Sequence, residues 1–252
     1  VVRLGQNFLA DTNLLEAIVR EAGVEDEDVV LEVGPGAGVL TERLAPLAAH
    51  LHAIELDRRL EPQLAGLAAR PDVTIHWADA MKLDLAALDP APTAMVANLP
   101  YSVATPLILR TIELLPGLRR WTLMVQREIA DRLRAPPGSR TYGSATVLAQ
   151  LAAEVTLLRA VDPAVFKPRP RVESAVLGLR RLGPAAPPAA RTLVREAFAH
   201  RRKSLARSLE LARPGRIGSV REALTELGQP ADARAEALSP QEFLALSAKL
   251  GG

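Results

Sequence analysis

The run Val29-Val30-Leu31-Glu32-Val33-Gly34-Pro35-Gly36-Ala37-Gly38 restricts the fold more than any other part of this chain. Its first five residues read as a strand buried on both faces. The alternate glycines then allow a tight turn and close approach of backbone to a ligand, before a helical stretch from Val39 to Ala48. Such a strand–turn–helix unit belongs in an open, mostly parallel sheet. The sequence downstream repeats the alternation, with strands expected at Leu51 to Ile54, Val73 to Trp77, Thr93 to Ala97 and Thr122 to Gln126. Helices are expected between them, notably over Thr105 to Leu115 and Arg127 to Arg134. Two late β-rich runs, Glu154 to Val161 and Val172 to Leu179, suit an antiparallel pair at one edge.

The segment Leu182-Gly183-Pro184-Ala185-Ala186-Pro187-Pro188 reads as a linker. Beyond it there is no strand pattern, and Val194, Phe198, Leu205 and Leu209 share one helical face. The reading is therefore α/β, with an α/β domain over 1–182 and a small helical domain over 183–252. A net charge of +2 conceals a division along the chain. Residues 1–158 carry 14 Lys and Arg against 20 Asp and Glu, a net of −6. Residues 159–221 carry 15 against 4, a net of +11. A basic block of that density suits a polyanion, nucleic acid first, although a solvated face reads the same way from charge alone.

Several classes are excluded. Without cysteine the chain has no disulfide scaffold, thiolate metal site or cysteine nucleophile. The longest uncharged run, Pro90 to Leu109, is interrupted by Pro92, Pro100 and Pro106, which argues against a membrane span. No basic-then-apolar leader opens the chain, so a cytoplasmic protein is expected. His50, His52, His76 and His200 show no ligand spacing, and no metal is expected.

What the glycine turn binds follows by elimination. No Gly-Lys-Ser/Thr follows it, so it is not a P-loop, and Val39 occupies the third glycine position of the dinucleotide fingerprint. Glu55, at the end of the next strand, can accept both ribose hydroxyls. An adenosine ligand without a pyrophosphate fits, and S-adenosylmethionine is the common one. Asp79, after the third strand, can accept from the adenine amine, or simply serve as a loop acid.

Asn98-Leu99-Pro100-Tyr101 ends the fourth strand, on the edge where open α/β sheets bind ligands. The exocyclic amine of a base is a poor nucleophile because its lone pair is delocalised into the ring. The amide oxygen of Asn98 and the backbone carbonyl of Leu99 or Pro100 suit its two N–H groups. Pro100 fixes the turn, and Tyr101 offers a face on which an extruded base can stack.

With these motifs in order, the chain resembles the KsgA-type ribosomal RNA adenine dimethyltransferases, close relatives of the Erm-type enzymes. The matching stretches are Gly5 to Leu9, Glu32 to Gly38, Ile54 to Asp57, Asp79-Ala80, Asn98 to Tyr101, Phe166 to Val176 and Phe198 to Leu209. The resemblance implies a seven-stranded Rossmann-like methyltransferase sheet and a helical C-terminal domain. It implies transfer of methyl groups from S-adenosylmethionine to N6 of two adjacent adenosines near the 3′ end of small-subunit rRNA. By the same resemblance Asn7 and Leu9 would contact the methionine part of the cofactor and Gly34 and Gly36 would line it. Glu55 would hold the ribose, Asp79 the adenine, and Asn98 would stand between cofactor and base. Tyr101 would stack on that base, with Phe166 as a second wall or a loop anchor. RNA phosphates would meet Lys167, Arg169 and Arg171 in the proline-rich loop and Arg195, Arg201, Arg202, Lys203 and Arg207 beyond the linker. The expected partner is small-subunit rRNA, within a 30S particle, and the expected state a monomer. Rival readings are an Erm-type enzyme acting on 23S rRNA, a non-catalytic rRNA- or DNA-binding member, and a nicotinamide dehydrogenase.

Overall fold

A computed structural model describes residues 8–9, 11–163, 166–167 and 172–251. The chain runs β1 (Phe8–Leu9), α1 (Thr12–Ala22), β2 (Val29–Val33), α2 (Thr41–Leu44), β3 (His50–Glu55), α3 (Glu61–Ala68), β4 (Val73–Trp77), β5 (Ala94–Asn98), α4 (Ala104–Leu114) and β6 (Arg120–Gln126). It continues with α5 (Arg127–Leu133), α6 (Ser144–Ala152), β7 (Ala153–Val161), β8 (Phe166–Lys167) and β9 (Ser174–Arg181). Four helices follow, α7 (Pro188–Phe198), α8 (Leu205–Ala212), α9 (Ile217–Glu226) and α10 (Pro240–Lys249).

Seven strands form one sheet in the order β4-β3-β2-β5-β6-β9-β7. β4, β3, β2, β5 and β6 are parallel neighbours, and β9 lies antiparallel to β6. Every residue of β2 is buried, as its uninterrupted apolar run requires. From β2 the chain winds outward through β3 to β4, then returns to the other side of β2 with β5. The topological switch point, where open α/β sheets bind ligands, therefore lies between the carboxyl ends of β2 and β5. The helix expected over Val39 to Ala48 is shorter than its pattern suggested. Only Thr41–Leu44 is α-helical, and Ala45–Leu47 tightens into a 3-10 turn containing Pro46. That proline lacks an N–H to continue the ladder.

The opposite edge of the sheet is tied together by one acid. Asp28 is fully buried, and its carboxylate accepts from the Glu25 N–H, the Thr93 hydroxyl, Arg119 and Arg120. These partners join the starts of β2, β5 and β6. Burial alone would raise the Asp28 carboxyl, but its hydrogen bonds and the two guanidinium groups outweigh burial and hold it below the ordinary range.

The chain divides into two compact units. One holds the residues up to Ala130 with Val155–Arg181, and the other holds Asp131–Glu154 with the residues from Leu182 onward. The last passage between units falls at the start of the Leu182–Pro188 linker, and Asp131–Glu154 is an earlier excursion that linear reading assigns to the first domain. The reason is aromatic. Tyr142 is fully buried, lies 6.0 Å from Phe198 by ring centroid, and donates from its hydroxyl to the Leu238 carbonyl at 2.9 Å. Phe198 in turn packs 5.7 Å from Phe243. The apolar face shared by Val194, Phe198, Leu205 and Leu209 is split between α7 and α8. Ser204 starts α8 as a new helix by accepting from the Arg207 N–H.

Three of the four histidines have partners that sequence spacing did not reveal, because β3 and β4 bring them side by side. His52 and His76 share a ring-nitrogen hydrogen bond of 3.0 Å, and His50 meets Thr74 at 2.9 Å. Burial pushes His52 and His76 down from the usual imidazole range. Among the described residues no group of three or more side chains is arranged to hold a metal, and no helix is long and apolar enough to cross a membrane.

Asp28→Asn should lower unfolding free energy by about 2–3 kcal/mol at pH 7, since it leaves two guanidinium groups without their carboxylate. With its folded pKa depressed, the carboxylate's contribution is present above the unfolded value and is lost as pH falls through the folded one. Urea unfolding from pH 7 down to pH 3 should show a gap between wild type and Asp28→Asn that closes toward acid.

Candidate functional site

Four strand ends converge at the switch point. Gly34 follows β2, Glu55 ends β3, Asp79 lies just past β4, and Asn98 ends β5. The turn after β2 depends on left-handed backbone, with φ of 75° at Gly34, 59° at Gly36 and 83° at Gly38. Residues with a side chain are strained there. Gly34 also sits where a Cβ would lie 3.6 Å from Pro100 Cδ and 3.9 Å from the Asn98 carbonyl oxygen. The glycine turn and the Asn98–Tyr101 segment, 64 residues apart in sequence, therefore pack directly together. Gly38 also serves packing, since a Cβ there would fall 2.6 Å from Leu67 Cδ1 of α3.

The turn is held by hydrogen bonds from two strands. The Gly34 N–H donates to the Ile54 carbonyl at 2.9 Å and the Gly36 N–H to Glu55 Oε2 at 3.1 Å. The second Glu55 oxygen accepts from the Asp57 N–H at 2.8 Å. Glu55, buried at 3% exposure, thus braces the glycine turn, and each of its oxygens retains a lone pair for a ligand hydroxyl. Asp57 points elsewhere, into a bidentate pair with Arg59. Asp79 accepts from the Met81 N–H through Oδ1 at 2.9 Å, which leaves Oδ2 for a second partner.

Glu32 is a functional candidate that sequence reading passed over. It is buried at the end of β2 and accepts from the Thr41 hydroxyl at 2.7 Å, tying the strand before the turn to the helix after it. Burial raises its carboxyl to about 8, with the Glu55 charge adding to the rise and Thr41 opposing it. Leu56 is the second, an apolar side chain 57% exposed beside Glu55. Its signal was an isolated leucine between two acids at a strand end.

The Asn98–Tyr101 segment is anchored to the neighbouring strand. Asn98 pairs in register with Met124 of β6, and the Leu99 N–H donates to the Met124 carbonyl at 3.0 Å. The Pro100 carbonyl closes the following turn by accepting from the Val103 N–H at 3.2 Å. Tyr101 is half-buried, and its hydroxyl meets Ser174 Oγ at 2.9 Å.

Other expected site residues are placed only in part. Asn7, Arg169 and Arg171 lie outside the described residues. Leu9 stands opposite Phe166 and Phe8 opposite Lys167 in the antiparallel pair β1–β8, so the two segments meet along their backbones. In the second unit Arg195, Arg202, Lys203 and Arg207 are exposed. Arg201 is exposed as well, but it donates to the Arg140 and Tyr142 carbonyls at 2.9 and 3.2 Å, so part of its guanidinium braces a loop.

Known proteins resemble this chain over nearly its whole length. A family model described as ribosomal RNA adenine dimethylase matches residues 2–249. A ribosomal RNA small subunit methyltransferase A from Rubrobacter xylanophilus is 46% identical over 97% of this chain and 92% of its own. The protein of that name from Deinococcus radiodurans is 41% identical over 98% and 85%. Among solved structures, a dimethyladenosine transferase from Plasmodium falciparum superposes with a TM-score of 0.77, at 26% identity and 95% coverage of both chains. The 23S rRNA methyltransferase ErmE gives 0.71, at 28% identity, covering 98% of this chain and all of its own.

The raised Glu32 carboxyl has a consequence for stability. The folded state keeps a proton that the unfolded state releases above about pH 4.5, so Glu32 erodes stability as pH rises from there to about 8. Urea unfolding of the ligand-free protein between pH 6.5 and 8.5 should therefore slope downward. Glu32→Gln should flatten that slope.

Proposed function

This chain belongs to the ribosomal RNA adenine dimethylase family, and on that premise we propose that it methylates N6 of two adjacent adenosines near the 3′ end of small-subunit rRNA. The observation that carries this reading is the packing of Gly34 against Pro100 and the Asn98 carbonyl, which sets the cofactor turn beside the base-holding segment. Relatives named as small-subunit enzymes are more similar in sequence than the 23S enzyme, which favours the small-subunit substrate over the Erm-type alternative.

The site suits S-adenosylmethionine in its own terms. Glycines leave room at the turn, Glu55 keeps lone pairs for ribose hydroxyls, and Leu56 presents an apolar surface beside them. Asp79 retains an oxygen for the adenine amine, while Asn7 and Leu9 complete the proposed cofactor set. The bound cofactor supplies an electrophilic methyl group and leaves as S-adenosylhomocysteine.

The chain's own residues make the weak nucleophile reactive by position. The Asn98 amide oxygen accepts one N–H of the target amine. The backbone carbonyl of Leu99 or Pro100 accepts the other. Two acceptors orient the nitrogen and favour a pyramidal geometry with the lone pair directed outward. Tyr101 carries the base on its ring face, and Phe166 forms the opposing wall. No general base is needed, since the amine proton becomes acidic only after transfer. For the second methylation the monomethylated amine gives up one of the two hydrogen bonds.

Phosphate contact belongs to the basic block. Lys167, Arg169 and Arg171 serve beside the base, and Arg195, Arg202, Lys203 and Arg207 serve on the helical unit. Arg201 is divided between phosphate contact and bracing. Such contacts position RNA without reading its sequence. The proposal places the protein in the cytoplasm as a monomer acting on RNA within a 30S particle.

Asn98→Ala should abolish methyl transfer to under-methylated small subunits while leaving S-adenosylmethionine affinity within a few-fold. Normal dimethylation by that variant, or label mapped only to large-subunit RNA, would sink the reading. Arg202→Gln with Lys203→Gln should reduce the slope of log affinity against log salt by about 1.5, as expected for two lost phosphate contacts. Arg201→Gln should lower the thermal midpoint as well as affinity, since its carbonyl contacts are lost too.

A further inference from the structure

The geometry points to Ser174 as a positioning residue for methyl transfer, acting through a hydrogen bond that holds the Tyr101 ring in the orientation on which a base can stack. This rests on the reading of Tyr101 as the stacking platform, and it adds a residue 73 positions away on another strand.

Tyr101 is the second residue of the Pro100–Val103 turn and is only half-buried, so packing alone leaves its ring incompletely held. A platform must be fixed before the base arrives, because ordering the ring during binding costs free energy that would otherwise favour reaction. The turn itself is secured at its root, where the Leu99 N–H donates to Met124 of β6. The ring is secured at its tip, where the Tyr101 hydroxyl and Ser174 Oγ lie 2.9 Å apart.

Ser174 is suited to anchor a ring because it is itself immobile. It is 1% exposed and opens β9, opposite Gln126 of β6, in a ladder of seven consecutive antiparallel pairs. The same β6 strand therefore fixes both ends of the segment, directly at Leu99 and through β9 at Tyr101. A bond at the hydroxyl engages the ring edge and leaves the faces free. A serine buried to this degree needs a partner, and the tyrosine hydroxyl is one.

The test uses the full chain, under-methylated small ribosomal subunits and labelled S-adenosylmethionine, with Ser174→Ala, Tyr101→Phe, the double variant and Tyr101→Ala. Ser174→Ala and Tyr101→Phe should each lower kcat about tenfold, the scale of one lost hydrogen bond. Cofactor affinity by calorimetry and KM for the cofactor should stay within twofold. The double variant should be no slower than either single one, because both remove the same bond. Monomethyladenosine should accumulate relative to dimethyladenosine, since a loosely held base escapes between transfers. Ser174→Thr, which restores a hydroxyl, should recover the rate. Multiplying losses in the double variant, or a normal kcat and product ratio in Ser174→Ala with Tyr101→Ala inactive, would overturn the tether alone. A normal rate in Tyr101→Ala would overturn the platform reading and the tether with it.

Discussion

The close approach of Gly34 to Pro100 is the constraint on which the rest of the site depends. The sheet places β2 and β5 side by side, but adjacency of strands does not by itself bring two turns into contact. That contact requires a residue with left-handed backbone and no side chain at the end of β2, facing a residue of fixed φ after β5. Around it, Glu55 draws the glycine turn toward β3, and Met124 draws the Asn98 segment toward β6. Each partner is a neighbouring strand, so the precision of the sheet is passed to the site through hydrogen bonds of about one residue's reach.

The two edges of the sheet are managed differently. At the amino edge, Asp28 is charged and surrounded by donors, a device that joins strand starts. At the carboxyl edge, Glu32 is buried with one hydroxyl partner near a second carboxylate, so its ordinary charge state is disfavoured. One edge has settled its electrostatics within the protein. At the other, burial outweighs the single Thr41 hydrogen bond to Glu32. The overall charge of +2 reflects neither edge.

Much of this was legible in the residues. The apolar run of β2, the glycines, the acid ending β3 and the Asn98–Tyr101 segment are local signals, and each lies where its pattern placed it. Glu55 and Asp79 were legible as strand-end acids, though their bonds to Gly36 and Met81 were not. Leu56, Glu32 and Ser174 escaped because their significance is relational. A leucine becomes notable only when exposed, a glutamate when buried, and a serine when a tyrosine 73 residues away meets it.

By itself the sequence determined the class of sheet, the place of the ligand edge and the chemistry the motifs suit. These follow from periodicity and turn stereochemistry, which act over a few residues. Only the tertiary structure decided that Asp131–Glu154 folds with the C-terminal helices, that the histidines of β3 and β4 pair, and that Arg201 braces a loop. Only it decided that one serine on β9 meets the hydroxyl of Tyr101. These outcomes depend on which distant segments are brought within hydrogen-bonding or ring-packing distance, and burial of Tyr142 or Ser174 has no signature in the neighbours along the chain.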